Sequence, residues 1–129
     1  MSGKHIRLRR IFRDDGRTVI SALDFAGFMG PVQGLEDPKA IVKKVVEGGA
    51  DAIIANPGFA QETSDIYGGR AGLILRITGG CSRYSPDPSF HTMISSVEDA
   101  VRLGADAVCI MVIVGSPQEH TMLANLGAV

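Results

Sequence analysis

Short apolar runs alternate with amphipathic segments along the whole chain. The apolar runs are rich in β-branched residues, which predicts strands that are buried on both faces, as in a parallel sheet. These predicted strands are 18–24, 52–56, 73–78 and 107–114. The segments with helical periodicity are 38–47, 60–67, 96–103 and 117–126. The pattern therefore predicts an α/β fold in which four parallel strands alternate with helices.

Residues that cap helices mark several of the predicted helix ends. Asp37 followed by Pro38 is typical of an N-cap and a first helical position, and Gly48 is expected to end that helix. Gly127 is expected to end the last helix. Capping-box spacing predicts the start of two further helices, at Ser95 with Glu98 and at Ser116 with Glu119. The predicted loops after the first and third strands are long, at 25–36 and 81–92.

The sequence Gly-Ala-Asp-Ala occurs twice, at 49–52 and 104–107, each time between a helix and a strand. Such tandem units predict the N-terminal half of an eight-stranded TIM barrel, with a small open doubly wound sheet as the alternative. We interpret 1–129 as a single partial domain. In it, a basic leader and turn, 1–17, precede 18–129, which run from the first strand to the fourth helix of the barrel. The leader is expected to be a solvated helix face or arm.

Composition narrows the classes of function. The 129 residues carry a net charge of −1, which gives no electrostatic argument for a nucleic-acid or membrane partner. Cys81 and Cys109 form no C-x-x-C pair, which favours small buried thiols in a reducing, cytoplasmic setting. The three histidines, His5, His91 and His120, are isolated in sequence. We therefore expect surface or capping roles for them and no metal site.

Short motifs in a fixed order give the chain a family likeness. They are Leu23-Asp24, Gly30-Pro31, Gly34-Leu35-Glu36-Asp37-Pro38, Gly48-Gly49-Ala50-Asp51-Ala52, Gly79-Gly80, the segment 97–107 and Val114-Gly115-Ser116. This set resembles the archaeal-type class I fructose-bisphosphate aldolases. Their relatives include amino-dideoxy-heptulosonate synthase, the autoinducer-2-processing thiolase and deoxyribose-phosphate aldolase. The resemblance implies a (β/α)8 barrel that makes or breaks a carbon–carbon bond in a small phosphorylated ketose. It also implies a lysine Schiff base on the sixth strand, with no metal or other cofactor.

The resemblance also suggests site residues. Asp24, at the end of the first strand, matches an aspartate that binds substrate hydroxyls and handles protons, so it is the candidate catalytic residue; the alternative is a loop-capping carboxylate. Asn56 and Arg76 follow as candidate substrate-binding residues at strand ends, with structural roles as the alternative. The family usually continues its aspartate with His-Gly, where this chain has Phe25 and Ala26.

The fourth predicted strand departs from the family as well. Relatives often carry polar residues where this chain has Met111 and Ile113. With Cys109, these two should point into the barrel, because side chains two apart on a strand share a face. An apolar interior at this level suggests a changed or weakened site.

The lysines determine what the chain is expected to do alone. Lys4, Lys39, Lys43 and Lys44 lie in the leader or on solvated helix positions, whereas a Schiff-base lysine needs a desolvated, strand-held site. We therefore expect the catalytic lysine beyond residue 129 and no activity from this chain alone. A non-catalytic sugar-phosphate-binding module and a barrel-completing interaction module are the alternatives. An open half barrel is expected to pair with itself or with a C-terminal half.

Overall fold

A computed structural model describes residues 2–129. The strands are β1 (Ile20–Ala22), β2 (Ala52–Ala55), β3 (Gly72–Arg76), β4 (Thr78–Gly80), β5 (His91–Met93) and β6 (Ala107–Cys109). The helices are α1 (Gly3–Ile11), α2 (Ala26–Met29), α3 (Pro38–Glu47), α4 (Pro57–Tyr67), α5 (Val97–Arg102) and α6 (Glu119–Ala128). None of the described helices has the length and apolarity that a membrane crossing requires.

The main sheet has the strand order β1-β2-β3-β6, and every neighbouring pair is parallel. The predicted parallel sheet of four strands alternating with helices is therefore confirmed. The spatial order follows the chain order without reversal. A doubly wound sheet reverses its order at a switch point, so the observed order favours a barrel segment over that alternative.

The two faces of the sheet differ in burial. The outer face is packed under α3, α4 and α5, with Ile53, Leu73 and Leu75 fully or almost fully buried. The inner face has a smaller buried cluster of Ala52, Ile74 and Ile11, and Ile20 at its β1 edge is 40% exposed. The prediction that every strand is buried on both faces is therefore wrong for β1. An edge strand has a neighbour on one side only, and Ile20 lies on the less covered face.

The basic leader packs more closely than predicted. Its residues 3–11 form α1, and Ile11, at the end of that helix, is buried against the inner face of the sheet. Arg10 pairs with Asp106 and Arg13 with Asp51, at N–O distances of 3.0 and 2.7 Å. These are the aspartates of the two Gly-Ala-Asp-Ala repeats. Helix α1 and the turn after it are therefore each joined to one repeat by an ion pair. Met1 of the predicted leader lies outside the described residues.

Several helix boundaries differ from their predictions. Asp37 caps α3 as predicted, accepting a hydrogen bond from the amide of Ala40. The capping box of α5 consists of Ser96 and Asp99, one residue beyond the predicted pair, because Asp99 is near enough to accept from the Ser96 amide. Helix α4 begins earlier than predicted, at Pro57. Gly127 does not end α6, which continues through Ala128.

Two further predictions differ from the structure, the loop after the third strand and the end of the fourth strand. The second long loop connects the two strands of an antiparallel hairpin, β4–β5, which no apolar run in the sequence predicts. The fourth strand of the main sheet, β6, ends at Cys109 instead of 114. Beyond it, the amide of Met111 donates to the side-chain oxygen of Thr78 at 3.0 Å, so the backbone leaves the parallel ladder. Strand alternation therefore does not extend from Cys109 to Met111 and Ile113, which are half-buried.

Candidate functional site

The carboxyl ends of β1, β2 and β3 bring the three predicted site residues together. Nη2 of Arg76 lies 2.6 Å from Oδ2 of Asp24, and the two side chains are only 9% and 3% exposed. The side-chain amide of Asn56 donates to the backbone carbonyl of Asp24 at 2.9 Å. In parallel α/β folds, the carboxyl edge is where ligands bind, because the loops that follow the strands converge there.

The ion pair between Asp24 and Arg76 leaves much of its hydrogen-bonding capacity unused. Apart from its 2.6 Å contact with Nη2 of Arg76, Oδ2 of Asp24 has no hydrogen-bond partner within residues 2–129. Nε and Nη1 of Arg76 likewise have no acceptor there. Buried charges normally satisfy their remaining donors and acceptors. The pair therefore has unused donors that a further acceptor could contact.

His91 belongs to the same site, contrary to the prediction of a surface or capping role. It lies on β5 and is 4% exposed. Its ring packs over Gly80, where a Cβ would stand 2.7 Å from the imidazole, and edge-on against Phe28 at a centroid distance of 6.1 Å. Burial, assisted by the positive charge of Arg76, lowers the pKa of His91 below its usual value.

Sequence reasoning missed His91 because the hairpin that buries it was not predicted. The register pairs His91 with Gly80, and only a residue without a side chain fits beneath the ring. Taken alone, Gly79-Gly80 suggests only a turn. A pair of glycines placed opposite a histidine across a hairpin is the signal that could have located it.

Helix α2 covers the site from the side of β1. It is a single turn that begins at Ala26, with Phe25 as its N-cap, and the centroids of the Phe25 and Phe28 rings lie 5.8 Å apart. Gly27 approaches Asn56 so closely that a Cβ would meet the side-chain amide at 2.8 Å. The aromatic residue at 25 thus belongs to a small apolar cover over the polar cluster.

Cys109 is half-buried at the end of β6, beside Arg76 in the strand register. Burial raises the pKa of its thiol, against a smaller lowering by Arg76. The thiol is therefore a neutral neighbour of the ion pair at neutral pH. Within residues 2–129, no group of three His, Cys, Asp or Glu side chains is arranged to hold a metal ion.

All four lysines are exposed, and none lies on a strand of the described chain. Lys39 on α3 is near Glu62 and Asp65 of α4, at 3.8 and 3.6 Å. Lys43 lies 4.0 Å from Glu47 one helical turn away. These are solvated ion pairs, and no lysine faces Asp24.

Comparisons with known proteins identify the family of the chain. The sequence profile of the DeoC/LacD family aldolases matches residues 18–129. The 2-amino-3,7-dideoxy-D-threo-hept-6-ulosonate synthase of Halobacterium salinarum is 37% identical over 130 residues, covering 98% of this chain and 48% of that protein. The corresponding synthase 1 of Archaeoglobus fulgidus is 36% identical over 129 residues, covering 100% of this chain and 48% of that protein.

Solved structures give the same result for the fold. An archaeal fructose-1,6-bisphosphate aldolase superposes with a TM-score of 0.81 at 29% identity, covering 99% of this chain and 51% of that chain. A second such structure has its catalytic lysine bound to the carbinolamine intermediate, and it matches with the same TM-score of 0.81. This chain spans about half the length of these relatives. Its four-stranded sheet corresponds to about half of a TIM-barrel aldolase.

Proposed function

This chain belongs to the DeoC/LacD aldolase family, and from that premise we propose that it supplies one half of a Schiff-base aldolase site. The proposed substrate is a small phosphorylated ketose. The observation that carries the proposal is the convergence of Asp24, Asn56 and Arg76 at the carboxyl edge of the sheet. In barrel enzymes of this architecture, catalytic residues come from the ends of several strands at that edge.

Each residue has a proposed role that follows from its chemistry. The carboxylate of Asp24 accepts hydrogen bonds from substrate hydroxyls and takes up or returns a proton during carbon–carbon cleavage. The amide of Asn56 holds the backbone at Asp24 and so fixes the direction of that carboxylate. The guanidinium of Arg76 provides a permanent positive charge beside it.

We further propose that the chain is inactive without a lysine from the remainder of a barrel. A nucleophilic lysine needs a desolvated site near the reacting carbonyl, and each of the four lysines is exposed. The lysine amine would form the Schiff base, while Asp24 on this chain moves protons. The proton-transfer group thus lies on this half of the barrel, and the nucleophile lies on the other half.

Borohydride trapping tests this proposal. The intact chain is incubated with fructose 1,6-bisphosphate and sodium borohydride, and reduced adducts are sought by mass spectrometry. We expect no adduct on this chain alone. When it is combined with the C-terminal half of the Halobacterium synthase, we expect an adduct on that half and cleavage activity that Asp24→Asn abolishes. A stable adduct on any lysine of this chain would contradict the proposal.

A second candidate function is assembly. Ile20 on β1 and Val114 after β6 are 40% and 83% exposed, so the apolar surface extends to both edges of the sheet. Exposed strand edges and apolar faces favour association. We propose that the chain pairs with itself or with a C-terminal half barrel, and that it then binds sugar phosphates without catalysis. Cys81 and Cys109 are free thiols, which is consistent with a cytoplasmic location.

Sedimentation velocity distinguishes the two forms of pairing. A self-paired half barrel sediments as a dimer, and the mixture with a C-terminal half gives a one-to-one complex. Ile20→Lys places a charge on the inner face and should weaken either complex. His120→Lys, an exposed position on α6, is the matched control. A strictly monomeric chain in both experiments would eliminate the assembly function.

A further inference from the structure

Unsatisfied polar atoms are concentrated in one place. Within residues 2–129, the buried side-chain atoms without a hydrogen-bond partner are Oδ2 of Asp24, Nε and Nη1 of Arg76 and Nδ1 of His91. All of them belong to the cluster at the carboxyl edge of the sheet. Folded proteins leave few buried polar groups unpaired, and those that remain call for an explanation. A ligand that supplies acceptor oxygens is the simplest one.

The charges of the cluster define what such a ligand must be. Three of the four unsatisfied atoms are nitrogens, and Arg76 is permanently cationic. The groups near His91 include Arg76 on β3, the apolar ring of Phe28 on α2 and the uncharged Gly80 on β4, and helix α6 also packs against β5. Asp24 and the neutral thiol of Cys109 lie beside Arg76. No acidic side chain is paired with His91, but an anion that binds Arg76 also approaches the carboxylate of Asp24.

We propose that Arg76 and His91 form a binding site for the phosphate group of a small metabolite. The guanidinium and the imidazole each donate to phosphate oxygens, an arrangement that is favoured because charge-assisted hydrogen bonds are strong in a buried site. This inference rests on the proposed function for the identity of the ligand, a phosphorylated ketose. It adds a phosphate contact to this half of the barrel, apart from the loops after the seventh and eighth strands that usually supply one.

Proton uptake accompanies binding. Asp24 and Arg76 cancel each other's charge, so a bound phosphate gives the cluster a net negative charge, which protonation of His91 reduces. Burial and Arg76 hold the pKa of His91 low in the free protein, and a nearby anion raises it. The phosphate also competes with Asp24 for Arg76, which frees the carboxylate for its proposed proton transfer. Entry requires a small shift of α2, whose Phe28 covers His91.

Calorimetric titration of the intact chain with inorganic sulfate tests the site. Sulfate has the tetrahedral shape of a phosphate group and keeps one charge state between about pH 6 and about pH 8, the range in which histidine titrates. We expect tighter binding at the lower pH, by at most about tenfold if binding raises the pKa of His91 by about one unit. Arg76→Met should abolish binding, and Arg76→Lys should restore part of it.

His91→Gln keeps a side-chain donor but cannot gain a proton. We expect weak binding that no longer depends on pH. The matched controls are His120→Gln and Arg70→Gln, which remove an exposed histidine and an exposed arginine and should behave as the wild type. If Arg76→Met fails to fold, the pH dependence of His91→Gln still decides the matter. Equal affinity at both pH values in the wild type would overturn the proposal.

This experiment is independent of carbon–carbon chemistry. Sulfate binding that depends on His91, together with a completed barrel that traps no ketose, would support the phosphate site and remove the proposed aldolase function. A completed barrel that traps the ketose, with no sulfate binding to this chain, would remove the phosphate site alone.

Discussion

The two ends of the parallel sheet use arginine and aspartate in opposite ways. At the amino end, Asp51 and Asp106 each accept a hydrogen bond from an arginine with one carboxylate oxygen. With the other oxygen, each accepts from a backbone amide, that of Val19 for Asp51 and that of Leu73 for Asp106. Every carboxylate oxygen has a donor, and the arginines are half-exposed or more.

At the carboxyl end, Asp24 and Arg76 are both buried, and their remaining polar atoms have no partner within the described chain. Satisfied, repeated contacts are typical of stabilising structure. Buried and unsatisfied charges reduce stability and are found where a protein binds or reacts. The comparison therefore indicates a stabilising role for the contacts at the amino end, and it is consistent with the binding role proposed for the residues at the carboxyl end.

The largest effect is expected from breaking the buried pair. Asp24→Ala leaves the charge of Arg76 buried without a counter-ion, which should lower the free energy of unfolding by about 3 to 5 kcal/mol. The double variant Asp24→Leu with Arg76→Met removes both charges and should regain most of that loss. Urea unfolding followed by circular dichroism measures both variants. If the double variant is as unstable as the single one, the pair stabilises the fold and the comparison fails.

A smaller effect is expected at the amino end. Asp106→Ala removes the acceptor of the Leu73 amide, which should cost about 1 to 3 kcal/mol in the free energy of unfolding. Arg10→Gln removes only the exposed partner of the same carboxylate, so we expect a loss of about 1 kcal/mol or less. The same denaturation experiment measures the two variants. A larger loss for Arg10→Gln than for Asp106→Ala would show that the arginine, and not the amide contact, is the main function of this aspartate.

The smallest effect concerns pH. His91 has a lowered pKa in the folded chain, so the unfolded chain binds more protons as the pH falls below the ordinary histidine value of about 6.5. The free energy of unfolding that depends on neutral His91 is fully present above that value. It is lost as the pH falls toward the pKa of His91 in the folded chain. The slope cannot exceed about 1.4 kcal/mol per pH unit for one proton. Thermal unfolding at several pH values should show this slope in the wild type and in His120→Gln, but not in His91→Gln.

The sequence was sufficient for the parallel strands and for the residues that meet at their carboxyl ends. The buried runs predicted each strand of the main sheet. Asp24 was singled out by the family resemblance and Asn56 and Arg76 by their position at strand ends, and the structure brings the three together. The strand predictions depend on local periodicity, which the sequence displays directly.

The missing parts depend on contacts between distant segments. The hairpin that carries His91 has strands of three residues with glycines, which show no apolar alternation. The early end of β6 follows from a hydrogen bond between Met111 and Thr78, 33 positions apart. The leader is held in place by ion pairs with residues on other elements. Nothing in the sequence of the leader itself predicts these contacts.

The ion pairs that hold α1 and the turn after it against the sheet also affect the order of folding. The contact between Arg10 and Asp106 joins positions 96 residues apart, and the contact between Arg13 and Asp51 joins positions 38 apart. Contacts of such long sequence separation form late, because the intervening chain must first be ordered. During synthesis α1, which emerges before the strands of the main sheet, would therefore dock only after the ribosome has released β6. We expect the amides of α1 to exchange their hydrogens with solvent sooner than those of β2 and β3.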